Sequence, residues 1–143
     1  MFPKLKPVPS KGIQKTGGKV AGFEVSSQMK ADRLGIVMNT IFMSAAGAQI
    51  YSQFEKNLTN LIVKSAGKNA GQLKKSQLLQ IFARVCSLDS DRKARLEALT
   101  KTPLTTSKNN SELGKKYKNL VKELDSKTIR KDVERITKEL NFT

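Results

Sequence analysis

"MSAAGAQIYSQF", residues 43–54, contains no charged side chain, although the chain around it carries 27 Lys and Arg against 12 Asp and Glu. The uncharged tract extends beyond this stretch and runs from Leu34 to Phe54, between Arg33 and Glu55. Three roles suit its length: a membrane span, a core helix, or an interface with a second chain. A span needs about 20 mostly apolar residues. The tract is long enough, but it holds Asn39, Thr40, Ser44, Gln49, Ser52 and Gln53, with Gly35 and Gly47. Those polar groups cost more in lipid than its leucine and isoleucines return, so a membrane partner is disfavoured. The run Ser44, Ala45, Ala46, Gly47, Ala48 lets another helix approach closely. The expectation is a neutral middle helix, wrapped by other helices or by a partner chain. Ala45, Ala46, Gly47, Ala48, Tyr51 and Phe54 are its expected oligomer interface.

Outward from this tract, apolar residues recur with the period of a helix. Ser26 or Ser27 starts a first helix with Met29, Leu34 and Val37 on one side, and Gly35 suggests a break. Ile41, Ala45, Ala48, Tyr51, Leu58 and Ile62 then form a stripe that predicts one long helix over residues 39–65, ended by the glycines of "AGKNAGQ", residues 66–72. Leu78, Leu79, Phe82 and Val85 mark a short helix with Ser76 at its start. "LDSDRKARLEALTKTP" marks another, capped by Asp89 or Ser90 and closed by Pro103. "TPLTTSKNN" reads as a polar linker. Leu113, Tyr117, Leu120, Val121 and Leu124 form the next stripe, and Ile129, Val133, Ile136 and Leu140 the last. The five-residue step from Leu124 to Ile129 predicts a break at "DSKT", residues 125–128. No segment alternates as a strand does, so the fold class is all-α: a short helix, a long central helix and short helices, with a C-terminal amphipathic helical extension. The expected organisation is a flexible basic arm over 1–22, a helical core over 23–102, and a linker with the helical extension over 103–143.

A formal charge of +15 attracts polyanions, of which nucleic acid is the commonest. Residues 1–22 contribute +5 with no acid, and residues 68–86 contribute +4, again with no acid. The remaining segments mix both signs. The expected phosphate contacts are therefore Lys4, Lys6, Lys11, Lys15 and Lys19 in the arm, and Lys68, Lys74 and Lys75 after the central helix. A nucleotide loop is excluded in "GIQKTGGK": counted from Gly12, its lysine falls on Gly18, and Lys19 is followed by Val20. Tyr51 and Tyr117, without any Trp, supply no platform for stacking single-stranded bases.

The sequence argues against catalysis. It contains no His, which removes the commonest general base. Its single cysteine, Cys86, lies on an apolar helix face and reads as a buried structural thiol. No cofactor, metal or small-molecule substrate is implied. One cysteine and no apolar leader in the first twenty residues point to an intracellular setting, nucleoid-like, chromatin-like or inside a virion, rather than a secreted one.

Several stretches together resemble a core histone. "AGAQIY" (46–51) looks like the start of the long central histone helix and "LTNLIVKSAGKNA" (58–70) like its end. "AGFEV" (21–25) is similar to the approach to the first histone helix, and Leu73 with "KKSQLLQIF" to the bridge and third helix. The resemblance covers residues 21–99. It implies a handshake of two chains across their central helices, with phosphates held at the loops and first helix, which adds Lys30 and Arg33 to Lys68, Lys74 and Lys75 as expected contacts. Charge and resemblance together predict a non-enzymatic, sequence-independent protein that packages DNA, or RNA, as a homo- or hetero-oligomer through the central helix. A helical capsid or nucleocapsid protein, a structural protein of a ribosome-like particle, and a peripheral membrane or helix-mediated adaptor built on residues 111–140 are the competing readings.

Overall fold

A computed structural model describes residues 18–104 and 107–142, with side-chain surroundings for 29–104 and 108–142. The expected arm contacts Lys4, Lys6, Lys11 and Lys15 lie outside the described residues. The protein is all-α. The described residues form α1 (Gly18–Met43), α2 (Ala45–Ala66), a 3-10 turn (Lys68–Gln72), α3 (Lys75–Cys86), α4 (Ser90–Lys101), α5 (Ser107–Glu123) and α6 (Lys127–Glu139), with no strand among them. Two units are distinguished: residues 1–30, whose described part is helical, and residues 31–143, which contain the core.

The single helix expected over 39–65 is two helices. α1 ends at Met43, α2 begins at Ala45, and the chain turns by 113° between them. Ser44 makes this corner. Its backbone is extended, its hydroxyl donates to the Ile41 carbonyl at 2.8 Å, and its Oγ accepts from the Gly47 N–H at 3.1 Å. That is an N-cap in the middle of an apolar stripe. The stripe continues in register across it, so periodicity alone could not show the break. Gly47 allows the corner to be tight, because a Cβ there would collide with the Ile41 carbonyl and the Phe42 backbone.

Four further expectations are corrected. α1 starts at Gly18, so residues 18–22 of the expected arm are helical. It passes through Gly35 unbroken, and there the missing side chain leaves room for the α3 backbone, with Gln80 Cα 3.2 Å from a built Cβ. α5 begins at Ser107, inside the expected polar linker. Ser76 is not the cap of α3; the Gln77 side chain accepts from the Lys74 N–H at 2.8 Å instead. Other local readings agree with the structure. Asp89 caps α4, Gly67 ends α2 with φ +104°, and the 125–128 break falls between α5 and α6, where Ser126 Oγ accepts from the Ile129 N–H at 3.3 Å.

α2 is the central element of the 31–143 unit, with α5, α6 and the 3-10 turn against it. The C-terminal helices are therefore not a separable extension. Phe54 on α2 stacks on Tyr117 of α5 with centroids 5.2 Å apart, and Phe42 of α1 meets the same Tyr117 ring edge-on at 5.4 Å. Tyr51 and Phe82 complete this aromatic cluster. Leu113, Leu120, Val121, Leu124, Val133 and Ile136 are all buried in the one core. A side chain so buried stabilises the fold by about 1.5–3 kcal/mol, and α2 alone could not cover its own apolar face. Among the described residues no single helix is long and apolar enough to cross a membrane.

Candidate nucleic-acid interface

The cations expected on phosphate do not share one fate. Lys68 and Lys74 are exposed at the two ends of the turn between α2 and α3, and Arg33 is exposed on α1. Lys30, in the first unit, is exposed as well, and Lys19 lies in the first turn of α1. Lys75 is different. Its ammonium donates to the Phe42 carbonyl at 3.1 Å and sits 4.9 Å from the centre of the Tyr51 ring. It closes the last turn of α1 and packs as a cation over an aromatic face. Its charge is committed to the corner.

The expected oligomer residues are also divided by the corner. Gly47, Tyr51 and Phe54 are buried within their own chain, Ala46 is half-buried, and Ala45 and Ala48 are exposed. The first three lie against α1 and α5 of the same molecule, because the turn at Ser44 folds the tract back on itself. Burial pushes the Tyr51 phenol above its usual range, with Glu55 adding to the effect.

The ion pairs sort the cations by type. Arg84 binds Asp32 through two hydrogen bonds of 2.9 and 3.0 Å, joining α3 to α1. Arg95 forks onto Glu123 at 2.8 and 2.7 Å and reaches Asp91 at 3.0 Å. Arg92 pairs with Asp89 and Glu123, Arg130 with Asp125, and Arg135 with Asp132 and Glu139. Arg33 is thus the one arginine without a carboxylate among the described residues. Most lysines stand the other way. Only Lys64 and Lys138 pair with an acid, while fourteen lysines with described side chains do not. The planar guanidinium fork suits a carboxylate and is easier to desolvate, so arginine goes to the ion pairs. Most of the compact, strongly hydrated ammonium groups are left without a carboxylate, Lys75 among them bound instead to the Phe42 carbonyl.

The largest group of these lysines was missed by the sequence reading. α5 carries Lys108, Lys115, Lys116, Lys118 and Lys122, with Glu112 as the acid among them. Lys115, Lys118 and Lys122 stand at i, i+3 and i+7 and so share one face. Counted over residues 109–143 the charge is +3, because six acids offset it. Four of those acids, from Asp125 onward, are paired to Lys64 or to cations of α6, and Glu123 is held by Arg92 and Arg95. A charge count taken helix by helix carries the signal that the longer window hides. On the adjoining face of α5, Lys116, Asn119, Leu120 and Glu123 face Arg95, Ala98 and Leu99 of α4 across a groove of about 390 Å³.

Cys86 is buried, and burial pushes its thiol up to about 12. Among the described residues no three His, Cys, Asp or Glu side chains group as metal ligands. No protein-family model matches the chain, and neither a curated protein nor a solved structure matches it.

Proposed function

We propose that this is a non-enzymatic protein that binds nucleic acid without regard to sequence, and packages or compacts it through lysine–phosphate contacts. One observation carries the reading: five of the six arginines are held by carboxylates of their own chain, while fourteen described lysines have no acid partner and, of these, Lys75 alone is committed to the corner. Reading a base edge calls for an oriented fork, most often arginine on guanine. Five of the six guanidinium groups of this chain are fixed elsewhere, Arg33 being the exception. Free ammonium groups suit phosphate, which positions a protein without identifying bases. Lys68 and Lys74 near the start of α3, and the α5 face of Lys115, Lys118 and Lys122, are the surfaces offered. The first-turn N–H groups of α3 add partial positive charge beside Lys74. The sequence contains no His, and Cys86, Tyr51 and Tyr117 are buried, so the reading assigns no catalytic role to them. The reading rests on this distribution of charge and does not require the histone resemblance.

The test is a salt titration of binding to several unrelated duplexes and RNAs. Log K should fall steeply with log salt, with similar slopes for all sequences. Changing Lys115, Lys118 and Lys122 together to Gln should flatten the slope by about 2–3 units. A slope near zero, or a preference above roughly a hundredfold for one sequence, would overturn the proposal.

A further inference from the structure

The uncharged tract divides into two halves with different surroundings. Leu34, Met38, Phe42, Ile50, Tyr51 and Phe54 are in the core. Nine other positions between residues 36 and 52 are exposed, and none of them is charged. Elsewhere more than half of the exposed, described positions carry a charge. On α1 the exposed positions Ile36, Val37, Thr40 and Met43 follow helical spacing and form one face, with Ile36 66%, Val37 39% and Met43 72% exposed. Through Ser44 and Ala45 the exposed, uncharged strip continues around the corner onto α2.

The hydroxyls of this strip are turned inward. Thr40 donates to the Ile36 carbonyl at 3.0 Å, Ser44 to Ile41 at 2.8 Å and Ser52 to Gln49 at 2.7 Å. Covering the strip therefore strands none of these donors, and the usual penalty for burying a hydroxyl is avoided. An apolar patch of a few hundred Å² is the scale at which exposed patches on soluble chains serve contacts.

We propose that this strip of α1 and its corner is where a second copy of the chain docks. Charge chooses the occupant. Two copies at +15 each repel one another. A face with a lysine would set that lysine near its own counterpart, whereas an uncharged face lets identical surfaces meet. A two-fold axis near Thr40 brings Ile36 of one copy against Met43 of the other, the self-complementary contact that a symmetric dimer requires. The repulsion between two basic chains makes the dimer weak, and salt, which screens it, favours the dimer. Bound side by side on one polyanion, copies are neutralised and concentrated, and the same contact makes binding cooperative. Only this last consequence rests on the proposed nucleic-acid function.

The experiment is sedimentation equilibrium of the full chain, free of nucleic acid, at about 0.1 M and about 1 M salt, where the screening length falls from ~10 to ~3 Å. The wild type should dimerise more at the higher salt. Ile36→Glu and Met43→Lys should each weaken the dimer at least tenfold without changing the melting curve, because both sites are exposed. The double variant Ile36→Glu/Met43→Lys should recover most of the loss, since each new charge meets its opposite across the axis. A wild type that is monomeric at millimolar concentration in both salts, or variants that dimerise as well as wild type, would overturn the proposal. So would a strip whose variants lose binding to anionic lipid vesicles while the wild type stays monomeric. A parallel titration on duplex DNA reads cooperativity. Loss of cooperativity in the single variants with the salt slope intact supports the contact, and failure to bind DNA at all refutes the nucleic-acid reading while leaving the sedimentation result standing.

Discussion

Replacing Gly47 with alanine should destabilise this protein, although the same change in an ordinary helix is stabilising. Gly47 lies in the first turn of α2, at a backbone conformation open to any residue, so helix propensity favours alanine there by about 1 kcal/mol. Against this, the new Cβ falls on the Ile41 carbonyl and too close to Phe42 Cα. These are backbone atoms of the last turn of α1, which cannot rotate aside as the end of a flexible side chain can. Relief requires the corner to open. Overpacking of this kind costs about 1–3 kcal/mol. Opening also draws Ser44 Oγ away from the Gly47 N–H, an N-cap contact worth about 1 kcal/mol. The balance is a loss of about 2 kcal/mol, or about 6–8 °C in Tm for a domain of this size. Thermal and urea unfolding followed by circular dichroism measure it. Gly71→Ala is the control, because its Cβ would meet only Val63 Cγ2 at an ordinary 3.5 Å. It should leave stability within about 0.5 kcal/mol of wild type. If Gly47→Ala melts at or above the wild-type temperature, or matches Gly71→Ala, the close corner is not what holds α1 against α2.

Three other outcomes follow from the same contacts. Removing residues 104–143 strips Tyr117 from Phe42 and Phe54 and uncovers the apolar face of α2; the truncated chain should lose its cooperative melt, and a sharp transition near the wild-type Tm would show that residues 24–102 fold alone. Lys75→Gln should lower stability by about 1 kcal/mol, through the lost Phe42 and Tyr51 contacts, with little change in the salt slope. Lys68→Gln with Lys74→Gln should do the reverse, flattening the slope by about 2, and equal slopes for the two sets would refute the division. The Arg95 fork holds the Glu123 carboxyl below its usual range near 4.5. A carboxylate depressed in the folded state stabilises above its unfolded pKa, and the contribution disappears as pH falls through the folded value. Glu123→Gln should therefore lower the urea midpoint at pH 7, and the difference from wild type should shrink in strong acid; a gap that is constant or widens on acidification would argue against the ion pair.

The all-α class was legible from the sequence, because apolar residues at helical spacing appear along most of the chain and strand alternation nowhere. Local signals placed several ends correctly: Asp89 before α4, Gly67 after α2, and the five-residue slip from Leu124 to Ile129 between α5 and α6. These are decided by groups within a few residues of one another, so the sequence contains them. The corner at Ser44 was not legible. A serine among small residues caps a helix or sits inside one, and the choice depends on whether the α1 residues Met38 and Phe42 find partners by turning back; Tyr117, more than seventy positions away, is one of them. The same distance hid the place of α5 and α6, since an amphipathic stripe shows that a helix is covered but not by what. Charge behaved likewise. The total of +15 is a property of the sequence. Which cations are free is in part a property of the fold, because Lys75, Arg84, Arg92 and Arg95 meet partners on distant helices, whereas Arg130 and Arg135 pair within a few residues of themselves.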